Sequence, residues 1–382
     1  MRNAVCQPIV RTMLDQLERR QSWRVESPTR VPAATYTDRH HLERERDLLF
    51  RKLPQVMALS VELPKPGSYL TRAPLGLPII LSRGADGEVT ACVNACAHRG
   101  SQLVEGAGCS RRLTCRYHAW GYEHGGTLAA IPDASAFPGV VVPGPGLRRL
   151  PAVETRGMIW VIPDLDAAPH EADLGVDAGL RPIADDLDNF DLDTVRHWRT
   201  HRFTLDVNWK LVIDTFLEPY HFASLHPTTV GPYFIPNLCF AERFGSHVRE
   251  ILPRKSLIEL KDLQPEEWDV IPHSAMVYVL FPNTVFVMQR DHVETWRVYP
   301  DGDDPSRSIC DLDFYIPIET EAPERYWERN WRLTIDTVID EDFDAMAGVQ
   351  RGLATGVLET VIAGANEPAL GMFHQSLAEA LS

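Results

Sequence analysis

Short apolar runs broken by glycine and proline dominate the chain between residues 46 and 165. Two such runs, at 78–81 and 88–93, flank an Asp-Gly pair at 86–87, which is typical of the tight turn of a β-hairpin. Residues 158–163 (MIWVIP) have the length and composition of a buried strand that closes the segment. The pattern predicts an all-β domain over residues 46–165.

Strand-like and helix-like segments alternate in the rest of the chain. Residues 208–226 and 322–363 are helix-like, and the latter is a long amphipathic region. The strand-like segments are residues 201–205, the two halves of 277–288 around Pro282-Asn283, 296–300 and 312–317. We therefore expect an α+β domain with an antiparallel sheet over residues 166–382, entered through an acidic, proline-containing linker at 165–192. Residues 1–45 predict a polar helical lead-in that packs on this domain.

The composition is that of an ordinary globular protein. The chain has 382 residues, 44% hydrophobic and 24% charged, which suffices for two domains with buried cores. No apolar run has the length of a membrane span, and the first residues lack the apolar segment of a signal peptide. The formal net charge of −15 disfavours nucleic acid as a partner. Seven scattered cysteines favour free thiols in a reducing cytoplasm.

Two short segments each supply one cysteine and one histidine: Cys-Ala-His at 96–98 and Cys-Arg-Tyr-His at 115–118. A structural zinc site usually takes both cysteines from one arm and both histidines from the other. A [2Fe-2S] cluster of the Rieske kind instead needs two cysteines on one iron and two histidines on the other. Mixed arms therefore predict this cluster, with Cys96, His98, Cys115 and His118 as its ligands.

Positive charge is concentrated around these two arms. A single acid, Glu105, accompanies four arginines: Arg99, Arg111, Arg112 and Arg116. In an acidic protein this basic collar is either a docking face for an acidic electron donor or a set of solvated side chains.

The pattern Cys-x-His-Arg-Gly followed by Cys-x-Tyr-His-x-Trp resembles the cluster motif of the ring-hydroxylating oxygenases and their ferredoxins. Respiratory Rieske proteins carry two further cysteines, joined in a disulfide beside the cluster, and this chain has Ser101 and Tyr117 near those positions. Arg116 and Ala119 stand where the family often has proline and glycine, although neither is a ligand position. A ferredoxin alone would leave most of the chain unexplained.

His221 and His226 are candidates for a second metal site. They are five residues apart, so a regular helix would point them about 140° away from each other. They can share an ion only if the helix breaks between them, and Pro227 is placed to help end it. Purely structural histidines are the alternative interpretation. Ferrous iron is typically held by two histidines and one carboxylate. The candidate carboxylates are Asp336, Asp340, Glu341, Asp342 and Asp344.

Residues 208–226 also resemble the catalytic stretch of the ring-hydroxylating oxygenases, with Asn-Trp-Lys, an acid, Tyr-His and a second histidine five residues later. The resemblance implies that His221 and His226 bind the mononuclear iron. It also implies that Glu218 is the carboxylate that links the two metal centres. Many members have Glu-Asn where this chain has Asp214-Thr215, so any supporting role that the family's asparagine plays beside the ligands is not expected here.

The family's C-terminal signature is an aspartate and a glutamine separated by seven residues, the glutamine leading into Arg-Gly-Leu. In this chain Asp342 and Gln350 have that spacing. The resemblance therefore makes Asp342 the third iron ligand, ahead of Glu341 and Asp340.

Over roughly residues 45–355 the chain resembles the catalytic α subunit of a Rieske non-haem iron oxygenase. This implies an all-β Rieske domain joined to a helix-grip (START-like) catalytic domain. The implied cofactors are a [2Fe-2S] cluster and a mononuclear Fe(II), fed from NAD(P)H through a separate reductase or ferredoxin. The implied assembly is a homotrimer, in which His118 of one chain meets Glu218 of the next and Glu218 contacts His221. The spacing of three residues between Glu218 and His221 would place both on one helix face.

Three functions fit these residues. The first expectation is O2-dependent hydroxylation of an aromatic or related small molecule. The alternative is an N- or O-demethylase acting on a methylated amine, a quaternary ammonium or a methoxy compound, since a glutamate at position 218 resembles family members that act on quaternary ammonium compounds. The third is an electron carrier with an inactive second domain. The aromatic residues that would line a cation site, or else pack in the core, are Tyr233, Phe234, Phe240, Tyr278 and Trp296.

The remaining histidines and cysteines carry weaker signals. His40, His41 and His273 lie in polar surroundings and are expected at the surface. Cys239 and Cys310 lie in apolar runs and are expected to pack in the core.

Overall fold

The computed structural model describes residues 3–167 and 174–382, with side chains from Cys6 onward. The chain divides into a small unit, Phe50–Ala178, and a large unit formed by Met1–Leu49 with Gly179–Ser382. In the described part of the chain, every helix is too short or too polar to cross a membrane.

The large unit begins with four elements and a π-helical turn. They are α1 (Asn3–Arg19), β1 (Thr29–Pro32), α2 (Ala34–Thr37), α3 (Arg39–Glu45) and the turn Arg46–Phe50.

The small unit is built from antiparallel strands. Its strands are β2 (Gln55–Leu59), β3 (Ser68–Arg72), β4 (Ile79–Arg83), β5 (Val89–Val93), β6 (Ala107–Cys109), β7 (Leu113–Thr114), β8 (Gly121–Tyr122), β9 (Leu128–Ala130), β10 (Arg149–Leu150), β11 (Ala152–Thr155) and β12 (Met158–Val161). They form a five-stranded sheet in the order β10-β5-β4-β3-β6 and two three-stranded sheets, β11-β12-β2 and β7-β8-β9. The predicted hairpin is confirmed, because β4 pairs with β5 and Gly87 takes the positive φ of +89° that its turn requires. All of β12 is buried, as its apolar run predicts.

From Val176 onward the chain mixes helices with one large sheet; α4 spans the boundary between the two units, and all later elements belong to the large unit. The elements are α4 (Val176–Leu180), α5 (Ala184–Asp188), β13 (Val195–Leu205), α6 (Trp209–Asp214), α7 (Phe222–Leu225), β14 (Phe240–Phe244), β15 (His247–Pro253), β16 (Ser274–Leu280), β17 (Thr284–Met288), β18 (Val293–Pro300), β19 (Ser308–Pro317), α8 (Glu324–Thr334), α9 (Asp344–Ala354), β20 (Thr360–Ala363) and α10 (Pro368–Ala380). A π-helical segment, Ile335–Phe343, joins α8 to α9.

Seven of these strands form an antiparallel sheet in the order β13-β19-β18-β17-β16-β15-β14. The strands β14 to β19 follow one another, whereas β13 lies at the opposite edge from β14. The connection from β13 to β14 therefore joins the two edges, and it contains α6 and α7 with the two candidate histidines. The helix α10 packs against β14 and β15. The predicted α+β class, with an all-β part and an antiparallel sheet in the second part, is confirmed.

Two local predictions are wrong. Residues 165–192 are not simply a linker, because α4 and α5 form there and Asp186 is buried in an ion pair with Arg249; residues 168–173 lie outside the described part. The helical region predicted to reach residue 363 ends earlier, because 360–363 pairs with β1 as strand β20. Both errors concern partners that are distant in sequence, which local periodicity does not reveal.

Candidate metal centres and substrate cavity

The two cysteine-histidine arms fold into loops of the same build. In the first loop the N–H of Gly100 donates to the carbonyl of Cys96, at 2.8 Å. In the second the N–H of Ala119 donates to the carbonyl of Cys115, at 3.0 Å. In both loops the fifth residue has a positive φ, +75° at Gly100 and +55° at Ala119. The left-handed conformation explains why the family often has glycine where this chain has Ala119, since an alanine in this conformation costs about 1 kcal/mol.

The loops bring the predicted cluster residues together. Cys96 and Cys115 are buried, 4% and 2% exposed. The ring of His98 stacks on Trp120 with the ring centroids 4.8 Å apart, and it meets the ring of His118 at 4.7 Å. The two sulfurs and two imidazoles therefore surround one place in the small unit.

The chemistry of these residues fits an iron-sulfur cluster. Nδ1 of His98 is buried and has no hydrogen-bond partner among the described residues, as expected for an atom that binds a metal. Partial burial and the neighbouring His118 lower the pKa of His98, which favours the neutral imidazole that a ligand requires. Burial disfavours the thiolate of Cys115, but the N–H groups of Tyr117 and His118 outweigh this and lower its pKa.

Tyr122 supports this site and was not predicted from the sequence. Its hydroxyl lies 3.1 Å from the sulfur of Cys96 and accepts the N–H of Ala97 at 3.0 Å. Burial raises the pKa of Tyr122, so the hydroxyl keeps its proton and can donate it to a sulfur. Hydrogen bonds of this kind tune cluster potentials.

The basic collar keeps part of its charge free. Arg112 pairs with Glu123 and Arg116 with Glu105, each at 3.2 Å and on the surface, where such pairs contribute at most about 1 kcal/mol. Arg99 and Arg111 are also exposed. The collar is therefore solvated and still positive.

In the large unit the chain breaks between α6 and α7. Asn208 caps α6 by accepting the N–H of Lys210 at 3.0 Å. The break contains Pro219, which disfavours a helical conformation of the residue before it. The break predicted between the two histidines is not observed, because the helix breaks before His221; Pro227 follows directly after the end of α7, as predicted.

The single turn of α7 lies between the two histidines, so His221 precedes it and His226 follows it. The chain after His226 is held by Gly231, whose N–H donates to the His226 carbonyl at 3.0 Å. A Cβ at this glycine would come within 2.5 Å of that oxygen, so only glycine fits there.

His221, His226 and Asp342 converge on one point. The two Nε2 atoms are 3.1 Å apart. Oδ1 of Asp342 lies 3.0 Å from His226 Nε2 and 3.3 Å from His221 Nε2. Three mutually adjacent ligands about 2.1 Å from one octahedral ion would be separated by about 3 Å. The spacing fits a facial triad of two histidines and one carboxylate, which is the arrangement of non-haem iron oxygenases.

Two further carboxylates fix the orientation of the histidines. Nδ1 of His221 donates to Glu218, and Nδ1 of His226 donates to Glu341 at 2.6 Å. Each Nδ1 thus carries the proton, which leaves the lone pair of each Nε2 for a metal. Burial opposes protonation of His221, but Asp342 and Glu218 overcome it and raise its pKa to about 10 without a metal. Glu341 and Asp340 were the two weaker candidate ligands. Glu341 instead orients His226 through the contact with Nδ1, and the side chain of Asp340 is exposed.

The contact between Glu218 and His221 does not arise from a helix face as predicted. Residues 215–221 form turns, and the Glu218 carboxylate also accepts the backbone N–H of His221 at 3.1 Å. The short turn therefore brings the carboxylate to the ring.

The helix α6 that leads into this site is anchored by a buried ion pair. The Lys210 ammonium donates to both oxygens of Glu45 at 2.7 and 2.9 Å, and both side chains are 0% exposed. Glu45 also accepts the indole N–H of Trp209 at 2.8 Å. Asp214, at the end of α6, accepts the Tyr36 hydroxyl proton at 2.7 Å and contacts His374. This network connects α6 to the N-terminal segment and to α10.

A cavity of about 490 Å³ opens beside the three converging atoms. Apolar side chains of the sheet, among them Val277 and Val287, form one wall. Of the five predicted aromatic residues, Tyr233 and Phe234 line the cavity. The other three, Phe240, Tyr278 and Trp296, are buried core residues outside its lining. The lining also contains Phe216 and Phe222, which lie on the break and on α7.

The weaker predictions had mixed outcomes. Cys239 and Cys310 are buried as expected, 1% and 0% exposed. His40 is exposed, whereas His41 is partly buried against Glu45 at 3.1 Å. His273 is also partly buried and bonds to Ser256.

Two family models match the chain. The model described as the ring hydroxylating alpha subunit (catalytic domain) matches residues 192–382. The model of the Rieske [2Fe-2S] domain matches residues 54–151.

Several known proteins are similar in sequence. The carnitine monooxygenase oxygenase subunit of Escherichia coli (strain K12) is 32% identical over 199 residues, 52% of each chain, so this match spans about half of that relative. The same subunit of Acinetobacter baumannii is 30% identical over 84% of each chain. Choline monooxygenase of Spinacia oleracea is 26% identical over 85% of this chain and 72% of that protein.

Solved structures share the fold. A quaternary ammonium Rieske monooxygenase in complex with L-carnitine has a TM-score of 0.76 at 20% identity, covering 92% of this chain and 95% of that chain. Naphthalene 1,2-dioxygenase from Rhodococcus sp. has a TM-score of 0.71 at 19% identity, covering 98% of each chain. The family models and the relative aligned over most of its length show that this chain belongs to the Rieske ring-hydroxylating oxygenase α subunits, oxidoreductases that use a [2Fe-2S] cluster and a mononuclear iron.

Proposed function

We propose that this protein is a Rieske monooxygenase that oxidises a C–H bond next to the nitrogen of a quaternary or methylated ammonium compound. The observation that carries this proposal is the convergence of His221, His226 and Asp342 at the wall of the cavity. In the proposal these three residues hold ferrous iron. The proposed ligands of the [2Fe-2S] cluster are Cys96, His98, Cys115 and His118.

When bound, the cluster supplies single electrons and the ferrous ion activates O2. One oxygen atom enters the C–H bond and the other leaves as water, with the consumption of two electrons and two protons. A carbon hydroxylated next to an ammonium nitrogen then releases the amine and becomes a carbonyl. The carboxylates of Glu218 and Glu341 keep both histidines in the tautomer that presents Nε2 to the ion.

The substrate class is supported by the relatives and by the cavity. Carnitine and choline monooxygenase, by their names, act on quaternary ammonium compounds. In the cavity Phe216, Phe222 and Tyr233 present aromatic rings, which attract such cations. Aromatic substrates, the first expectation from the sequence, are less well supported. An electron carrier with an inactive domain is disfavoured, because the triad and the carboxylates that orient it are complete.

We further propose that electrons arrive from a reductase or ferredoxin and pass between subunits of a homotrimer. In this scheme His118 of one chain meets Glu218 of another, and Glu218 conducts to His221. The contact between Glu218 and His221 supports the second half of this path.

The substrate class is tested with the iron-reconstituted protein, a surrogate reductase and NAD(P)H. We expect O2 uptake with L-carnitine or choline, together with formation of an amine and a carbonyl compound in equal amounts. Anthranilate and benzoate should not be oxidised. Measuring hydrogen peroxide separates productive turnover from uncoupled O2 reduction. Oxidation of the aromatic acids alone would contradict the proposed substrate class.

The electron path predicts different defects for two similar variants. Glu218→Gln and Glu341→Gln each weaken a carboxylate contact to one iron-binding histidine, so each should lower turnover by about 10- to 100-fold. Only Glu218→Gln should also slow oxidation of the pre-reduced cluster in a single turnover with substrate and O2. Equal rates of cluster oxidation in the two variants would show that Glu218 only positions His221.

A further inference from the structure

A cationic side chain of the cavity lacks a matching anion. Arg254, just after the end of β15, lines the cavity and is partly buried. Its Nη2 donates to the Gln289 side chain at 2.8 Å, and its Nε donates to the Ser274 carbonyl at 3.3 Å. Both acceptors are neutral. Among the described residues, no carboxylate lies within ion-pair distance of this guanidinium, and Nη1 has no hydrogen-bond partner.

The two acids of the same cavity region are already engaged. Asp291 accepts from Tyr326 and, at 2.8 Å, from His292. Glu294 accepts from His292 at 3.2 Å, from Trp296 at 3.0 Å and from Thr334 at 3.0 Å. Asp291 attracts Arg254 only from a longer distance, and burial lowers the pKa of Arg254. A guanidinium left in this state costs free energy that a bound anion would recover.

Arg254 is also held in place before any ligand binds. Its guanidinium lies over the ring of Phe234, 4.5 Å from the centroid. Two further arginines, Arg290 and Arg329, line the cavity and are exposed. The positive charge of this region favours entry of an anionic group.

The position of Arg254 separates it from the metal site. The ring of Phe234, which lies under Arg254, is 5.5 Å from the ring of Phe222, and that ring is 5.6 Å from the ring of His226. The cavity can therefore hold one end of a substrate near the triad and the other end near Arg254.

We propose that Arg254 binds a carboxylate of the substrate, so that the enzyme selects a trimethylammonium carboxylate over an ammonium alcohol that lacks an acid. This inference rests on the proposed function and narrows its substrate class. Arg254 acts here as a specificity-determining residue, with a guanidinium fork that suits a carboxylate.

The test compares γ-butyrobetaine with its carboxamide, which has the same ammonium group and chain length but no negative charge. For the wild-type protein we expect a lower KM for the carboxylate. Arg254→Met should raise the KM for γ-butyrobetaine by about 10- to 100-fold, with kcat changed less than about threefold, and should leave the KM for the carboxamide nearly unchanged. Arg254→Lys should recover part of the loss if its charge is what matters.

Lys255→Gln is the matched control, because it removes the positive charge of the next residue, which is exposed and does not line the cavity. It should behave as the wild type. Equal effects of Arg254→Met on both compounds, or none on either, would overturn the inference. Turnover of aromatic acids with the same dependence on Arg254, and no turnover of ammonium compounds, would overturn the proposed function but keep the carboxylate site.

Discussion

Replacing Asp342 by alanine is expected to remove the mononuclear iron and abolish product formation while the [2Fe-2S] cluster stays intact. Asp342 is 5% exposed and supplies the only carboxylate oxygen of the described three-residue metal group. Without it, two histidines alone would have to hold the ion. The loss of activity should exceed the roughly 100-fold typical of removing a residue that only orients a ligand. Iron analysis should fall from three to two atoms per chain, with an unchanged visible spectrum of the cluster.

Asp340→Ala is the control for this experiment. Asp340 lies on the same π-helical segment, two residues earlier, but its side chain is exposed. It should keep all three irons and normal turnover. His221→Ala should reproduce the Asp342 phenotype from the other side of the site. Iron loss in the Asp340 variant, or turnover by the His221 variant, would disprove the assignment of the triad.

Removing one partner of the buried Glu45–Lys210 pair is expected to destabilise the large unit strongly. Glu45→Ala leaves the Lys210 ammonium in a site with 0% exposure, and an uncompensated buried charge costs about 3–5 kcal/mol. For a unit of this size the midpoint of thermal unfolding should fall on the order of 10 °C. Circular dichroism and calorimetry at a fixed protein concentration measure the change.

The double variant Glu45→Met with Lys210→Met separates the charge from the packing. Because it removes both buried charges and keeps similar volume, it should regain most of the lost stability. If the double variant were as unstable as Glu45→Ala alone, the pair would act through shape rather than charge. Arg243→Ala, which breaks an exposed pair with Glu379, should change stability by less than about 1 kcal/mol.

The sequence predicted the parts of this protein that depend on near neighbours. Each cluster loop carries a cysteine and a histidine within four residues, so the spacing itself specifies a pair of ligands. The hairpin of β4 and β5 could be predicted in the same way, because its two strands and its turn follow one another directly in the sequence. The strands β16 to β19 were recognised from their apolar runs for the same reason.

The sequence was less informative where one segment depends on a distant one. The strand β20 exists only through its pairing with β1, over three hundred residues earlier, so its helical prediction failed. The segment around Asp186 resembled a linker, because its ion pair with Arg249 is not visible in local composition. Phe240, Tyr278 and Trp296 could not be sorted into core or cavity without the sheet register.

The same division applies to function. The sequence by itself determined the cluster motif and the two histidines, since these signals lie within short stretches of chain. The family resemblance already favoured Asp342 among the five acids near residue 340, but only the tertiary structure gave their contacts: Asp342 meets both Nε2 atoms, whereas Glu341 accepts the hydrogen bond from Nδ1 of His226. The tertiary structure also decided that Arg254 is a cavity residue without a neighbouring carboxylate. The contacts of Glu341 and Arg254 are set by distances and burial between segments far apart in the chain, and no spacing along the chain encodes them.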